Sequence, residues 1–123
     1  MPQPAWLGSL FAAIDAMDVA RFADFLTEDA VFRFGNAAPV CGKTAVREAV
    51  AGLFASVKGL RHTVRASWTH PDGLVMHGEV TYTRHDGSQL TVPFANVFGL
   101  RGTLVREYLI FADVSPLWVA PAG

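Results

Sequence analysis

Apolar residues at the start of the chain recur at three- and four-residue steps. Trp6, Leu7, Leu10, Phe11, Ile14 and Met17 fall on one face and predict a buried helix stripe. Asp18 then stands at an N-cap position, ahead of a short second helix carrying Phe22, Phe25 and Leu26 on one side. A first strand over 30–34 ends at Gly35, Asn36 and Pro39. After Gly42 the helical period returns in Val46, Ala49, Val50, Leu53, Phe54 and Val57, with Gly59 at the expected stop.

Beyond Gly59 the period changes from 3.6 to 2. Over 60–69, His62, Val64, Ala66 and Trp68 share one face, and Arg61, Thr63, Arg65 and Ser67 the other. The segment His70-Pro71-Asp72-Gly73 predicts a turn, with Pro fixing φ and Gly accepting a positive φ. A strand over 74–84 follows, then the tight turn Asp86-Gly87. The next strand, 90–100, alternates most cleanly: Leu90, Val92, Phe94, Asn96, Phe98 and Leu100 against Thr91, Pro93, Ala95, Val97 and Gly99. The last strand, 104–113, is apolar on both faces, which predicts that the outer face of the sheet meets a second subunit in a homodimer. Helices first, then meandering strands, is an α+β order, and 123 residues make one domain spanning 1–123.

Composition narrows the function classes. Hydrophobic residues make up 51% of the chain and include nine Phe, enough to supply a pocket wall or an interface beyond the core. Ten basic residues against eleven acidic ones, with no cationic run, argue against nucleic-acid and anionic-membrane partners. The apolar N-terminus lacks a basic region and is interrupted by Asp15 and Asp18, so no secretory leader is expected. Apolar runs are too short to span a bilayer. With Cys41 as the single cysteine, a small hydrophobe between Val40 and Gly42, these features predict a cytoplasmic protein. No two His stand at metal-ligand spacing and no phosphate loop is present, so neither a metal nor a cofactor is expected.

Several segments, in this order, resemble the NTF2-like superfamily and in particular its SnoaL-like branch of polyketide cyclase-like and ketosteroid isomerase-like domains. They are Phe25-Leu26-Thr27-Glu28-Asp29-Ala30-Val31-Phe32, Gly42-Lys43-Thr44-Ala45-Val46, the run from Gly78 to Gly87, Val92-Pro93-Phe94-Ala95-Asn96-Val97-Phe98, and Leu104-Val105-Arg106-Glu107-Tyr108 with Asp113. The resemblance covers nearly the whole chain. It implies a cone: helices packed on a strongly curved antiparallel sheet that encloses a pocket, often in a dimer. It implies no single activity, because the superfamily holds isomerases, cyclases, epoxide hydrolases, dehydratases and non-catalytic proteins.

Ketosteroid isomerases of the superfamily use an Asp base, a Tyr and a protonated Asp. Those positions fall here at Phe34, Leu10 and Asn96, so two of the three parts are missing. The limonene-epoxide-hydrolase pattern matches Phe34-Gly35-Asn36, His77-Gly78-Glu79 and Arg106-Glu107-Tyr108 with three substitutions. A SnoaL-type cyclase needs only an acid/base group and a hydrogen-bonding pocket, and the resemblance implies Asp113 as its carboxylate.

The residues themselves add three candidates. Glu79 is a mid-strand carboxylate that needs a partner or a polar cavity. His62 lies on an apolar strand face, where its ring is a candidate acid/base, or is a core histidine bonded to a carbonyl. Asn96 can donate to a developing oxyanion, or is satisfied by backbone.

The expected site therefore has Asp113, Glu79 or His62 moving a proton while Asn96 steadies an enolate. Trp68, Phe34, Phe94, Phe98 and Tyr108 line the pocket, and the substrate is a small apolar carbonyl compound. The alternative is a non-catalytic module for binding a small apolar ligand or for dimerisation.

Overall fold

The computed structural model describes residues 3–118. Helix α1 spans Ala5–Asp15 and buries Leu7, Leu10 and Ile14, the stripe set by the opening periodicity. Burying each such side chain stabilises the fold by about 1.5–3 kcal/mol. Helix α2, Val19–Ala23, is capped as expected: the Asp18 carboxylate accepts from the Arg21 backbone N–H at 3.1 Å. It stops before Phe25 and Leu26, which the sequence placed on the helix. Leu26 instead opens strand β1, Leu26–Phe34. A two-residue strand β2, Val40–Cys41, precedes α3, Lys43–Ala55, which presents Val46 and Val50 to the core. Cys41 is exposed on this edge strand, not buried as its apolar neighbours suggested.

The remaining strands are β3, Gly59–His70; β4, Gly73–Thr83; β5, Gln89–Arg101; and β6, Leu104–Phe111. All six form one sheet in the order β2-β1-β6-β5-β4-β3, antiparallel except where β1 runs parallel to β6. Three helices packed on this curled, open sheet make the α+β cone that the sequence predicted. A short 3-10 turn, Ser115–Trp118, follows β6.

One irregularity reorganises the faces of β3. Its register with β4 steps from Val64 opposite Gly78 to Ala66 opposite His77, so Arg65 is the extra residue of a β-bulge. A Cβ on Gly78 would collide with the Thr63 carbonyl beside the bulge, which explains the glycine. Because side chains alternate with period 2, one inserted residue turns every later side chain to the other face. His62 and Val64 therefore face the helices, and Trp68 faces outward. The other turns follow the sequence, with one change of reason. Gly73 does not adopt a positive φ; it is needed because a Cβ there would meet the Phe98 carbonyl oxygen.

Outside, Trp68, Val75, Val97 and Leu109 stand opposite one another across four strands. Phe111 joins this apolar row from beside Ala95, and Trp68 and Phe111 are 57% and 55% exposed.

Candidate functional site

A cavity of about 50 Å³ lies between the concave sheet face and α3, with Ala112 and Leu117 from the segment after β6 in its wall. Its wall is largely apolar and carries seven Phe and Tyr rings: Phe22, Phe32, Phe34, Phe54 and Phe94, with Tyr82 and Tyr108. Strand alternation supplies it. In β4 the inward set includes Val80 and Tyr82, in β5 Phe94 and Asn96, and in β6 Tyr108 and Ile110. Among the lining residues the only ionisable side chains are His62, Tyr82 and Tyr108.

His62 enters from β3. Its Nδ1 lies 2.6 Å from Asp15 Oδ1, and its backbone N–H donates to Asp15 Oδ2 at 3.0 Å. Asp15 is the last residue of α1, so both carboxylate oxygens pin that helix end to the sheet. The imidazole stacks on Phe11 at 4.6 Å between centroids and meets Phe94 edge-on at 5.3 Å. With Nδ1 engaged by a carboxylate, the favoured tautomer carries its hydrogen on Nδ1 and leaves Nε2 as a base. On its other side the pair borders a surface groove lined by Gln3, Gly8, Ala12 and Val64. The sequence singled out His62 as an acid/base or a core histidine on a carbonyl, and its partner is a carboxylate. Asp15, read there only as a break in an apolar segment, is the residue that sequence reasoning missed.

Asn96 is 1% exposed. Its Nδ2 donates to the Tyr108 hydroxyl at 3.4 Å, and its Oδ1 has no partner. Burial raises the Tyr108 phenol far above its ordinary value and pushes Tyr82 up to about 12, so both remain neutral.

The other sequence candidates stand apart from this cluster. Glu79 points outward and is held 2.6 Å from Arg65 Nε, the bulge residue, a solvated ion pair. Asp113 is exposed; its carboxylate accepts from the Ser115 backbone N–H at 3.1 Å and from its hydroxyl at 2.7 Å, which lowers its pKa and fixes the start of the 3-10 turn. Trp68 stacks on His77 outside the sheet, 5.8 Å between centroids, displaced from the pocket by the bulge. Phe98 is wholly buried but lies behind the wall, against Trp6 and Tyr108. Phe34, Phe94 and Tyr108 do line the cavity. Neither Glu79 nor Glu107 does, which removes the carboxylates an epoxide-hydrolase arrangement would need there. Asn36 is a turn residue beside Gly35, whose φ is +59°.

The turn beside the cavity is held by Arg84 as well as by Asp113. Arg84 donates to the carbonyls of Pro116 at 3.0 Å and Leu117 at 3.4 Å, and to the Ser88 hydroxyl at 3.2 Å. Leu117 is thereby seated in the cavity wall, 5% exposed. Among the described residues no group of three His, Cys, Asp or Glu side chains is placed to hold a metal ion, and no helix is long and apolar enough to cross a membrane.

The SnoaL-like domain family matches residues 8–108, and the chain belongs to that family. Solved structures share the fold at low identity. A protein of ketosteroid isomerase-like fold from Catenulispora acidiphila, in complex with trimethylamine, superposes with a TM-score of 0.85 at 14% identity, covering 93% of this chain and 89% of that one. TerC, co-crystallised with polyporic acid, gives 0.77 at 16% identity, covering 90% and 91%. An NTF2-like protein of Anabaena variabilis gives 0.78 at 18%, covering 87% and 83%. No curated protein matches the chain.

Proposed function

We propose that the cavity is a binding site for a small, largely apolar carbonyl compound and that His62, oriented by Asp15, moves a proton on it without a cofactor. The observation that carries this reading is the 2.6 Å contact between His62 Nδ1 and Asp15, which engages Nδ1 and leaves the second ring nitrogen for a substrate, in a residue that lines the cavity. A base of this kind takes a proton from a carbon next to the carbonyl. The electron pair then moves onto the carbonyl oxygen, and the imidazolium returns the proton to that oxygen or to a second carbon. The Asp15 carboxylate stabilises the imidazolium while it exists. Positioned acid/base groups contribute roughly 10²–10⁴-fold to rate. This is proton-transfer chemistry of the cyclase or isomerase type. Two proteins of the same fold, TerC and the Catenulispora acidiphila protein, hold small organic molecules, which supports a ligand in this cavity.

Exchange of α-protons for deuterium in a panel of small enolisable ketones, followed by proton NMR, tests the reading. The wild-type chain should accelerate exchange for at least one ketone, and His62→Gln should lose the acceleration while keeping its fold. If no ketone exchanges but apolar compounds raise the melting temperature, the protein is a binding module, the second reading that the aromatic wall supports.

The apolar outer row of Trp68, Val75, Val97, Leu109 and Phe111 favours a second copy of this chain packed there, giving a homodimer that leaves both cavities on the far side of the sheet. Contiguous exposed apolar patches of this kind are rare on monomers.

A further inference from the structure

We propose that the inner end of the cavity is a subsite for a neutral hydroxyl group, phenol or enol, held jointly by Asn96 and Tyr108. This rests on the reading of the cavity as a ligand site and specifies which chemistry it takes.

Asn96 is the one polar side chain among the described residues that is fully buried with an unpartnered side-chain atom, its Oδ1, and it lines the cavity. A buried acceptor without a partner costs about 1–3 kcal/mol, so something in the cavity donates to it. Because Asn96 Nδ2 donates to the Tyr108 oxygen, the phenolic hydrogen is free to point elsewhere. The pair thus offers one acceptor, Asn96 Oδ1, and one donor, the Tyr108 hydroxyl. Turning the amide over changes which residue plays which part but not the sum. Tyr108 then donates to Oδ1, Nδ2 becomes the free donor and the phenolic oxygen the free acceptor.

Either way the site presents an acceptor beside at least one donor, because the amide nitrogen carries two hydrogens. A carbonyl or ether oxygen satisfies only the donor; an ammonium satisfies only the acceptor. A hydroxyl satisfies both, as does a water molecule that a ligand hydroxyl displaces.

Charge selects the neutral form. Among the described residues no Lys or Arg lines the cavity, Tyr82 and Tyr108 stay uncharged, and His62 is already paired with a carboxylate. A phenolate or carboxylate would lose its hydration without a cation to replace it. The aromatic wall suits a flat, unsaturated body behind the hydroxyl. An engineered apolar cavity of roughly 150 Å³ binds benzene. At about 50 Å³, this one takes a ring only as its wall yields.

Binding of phenol, toluene and benzoate, measured by ligand-observed NMR and by calorimetry, tests the subsite. Phenol and toluene have nearly the same shape and differ in the hydroxyl. The wild type should bind phenol more tightly than toluene and benzoate weakest of the three. In Tyr108→Phe, and separately in Asn96→Leu, the phenol-over-toluene ratio should fall about tenfold, the scale of one buried hydrogen-bonding group left unmet. Toluene binding should persist in both. Tyr108→Phe keeps the ring and its packing, so it reports even if Asn96→Leu unfolds. Equal binding of phenol and toluene, or a ratio unchanged in Tyr108→Phe, overturns the hydroxyl subsite and leaves the ligand-binding cavity intact. Failure of all three compounds to bind overturns the cavity reading and the subsite with it.

Discussion

The imidazole of His62 and the carboxylate of Asp15 meet at 2.6 Å although 47 residues separate them in the chain. The contact joins the end of the first helix to the third strand and engages one of the two imidazole nitrogens. Asp15→Asn keeps the shape of the side chain but removes the charge that stabilises an imidazolium. It should lower turnover of any exchanging ketone by about 10²-fold, within the range that positioned acid/base groups supply, with KM little changed. Steady-state kinetics on the folded variant checks this. A loss confined to KM would mean that Asp15 serves binding rather than proton transfer.

Both tyrosines of the chain, Tyr82 and Tyr108, are buried at the cavity. A phenol whose folded pKa is raised stabilises the fold fully below the unfolded value, near 10, and that contribution disappears as pH rises through the folded value. For Tyr82 the window runs from 10.0 to about 12. Ultraviolet titration at the phenolate band should therefore show no ionised tyrosine at pH 10–11 in the folded protein, and both ionising together when alkali unfolds it. One tyrosine titrating reversibly with an ordinary pKa would contradict the burial.

Asp29 works in the opposite direction. It accepts from both terminal nitrogens of Arg101, at 2.9 and 3.1 Å, and from the Thr27 hydroxyl at 2.8 Å. These bonds, that to Arg101 first, lower its pKa from 3.8 to about 2. Its contribution is present above pH 4 and is lost as pH falls through the folded value. Asp29→Asn should make stability in denaturant less steeply dependent on pH between about 4 and 2, with little change at pH 7 because the pair is exposed.

The outer apolar row gives a test of assembly. Val97→Asp places a charge at its centre, between Val75 and Leu109, without touching the cavity. Light scattering at micromolar concentration should give a dimer mass for the wild type and a monomer mass for the variant. A monomeric wild type would remove the homodimer.

What the sequence disclosed and what it hid follow from the range of the interactions concerned. Alternation is local, so Phe94 and Asn96 could be assigned to a shared face of their strand from spacing alone, whereas the last strand, apolar on both faces, gave Tyr108 no such assignment. Trp68 could not be assigned this way, because the bulge at Arg65 depends on how β3 pairs with Gly78 on the neighbouring strand. Asp113 has the acidity and the position that a family resemblance favours, yet the nearby Ser115 claims its carboxylate. Asp15 was hidden for the opposite reason: its partner lies far along the chain and is reached only when α1 packs on β3. Glu79 found the partner that a mid-strand carboxylate requires, but on the solvent side.

The four histidines supply a built-in reporter for the central claim, that a ligand occupies the cavity beside His62. His62 lines the cavity, whereas His70, His77 and His85 are exposed. NMR of the imidazole protons and nitrogens, with phenol titrated in, distinguishes them. The account predicts that phenol shifts the His62 ring resonances and gives contacts to Tyr108 and Phe94, while the other three histidines stay where they were. Shifts at His77 with His62 unmoved would place the ligand on the outer face and contradict the account.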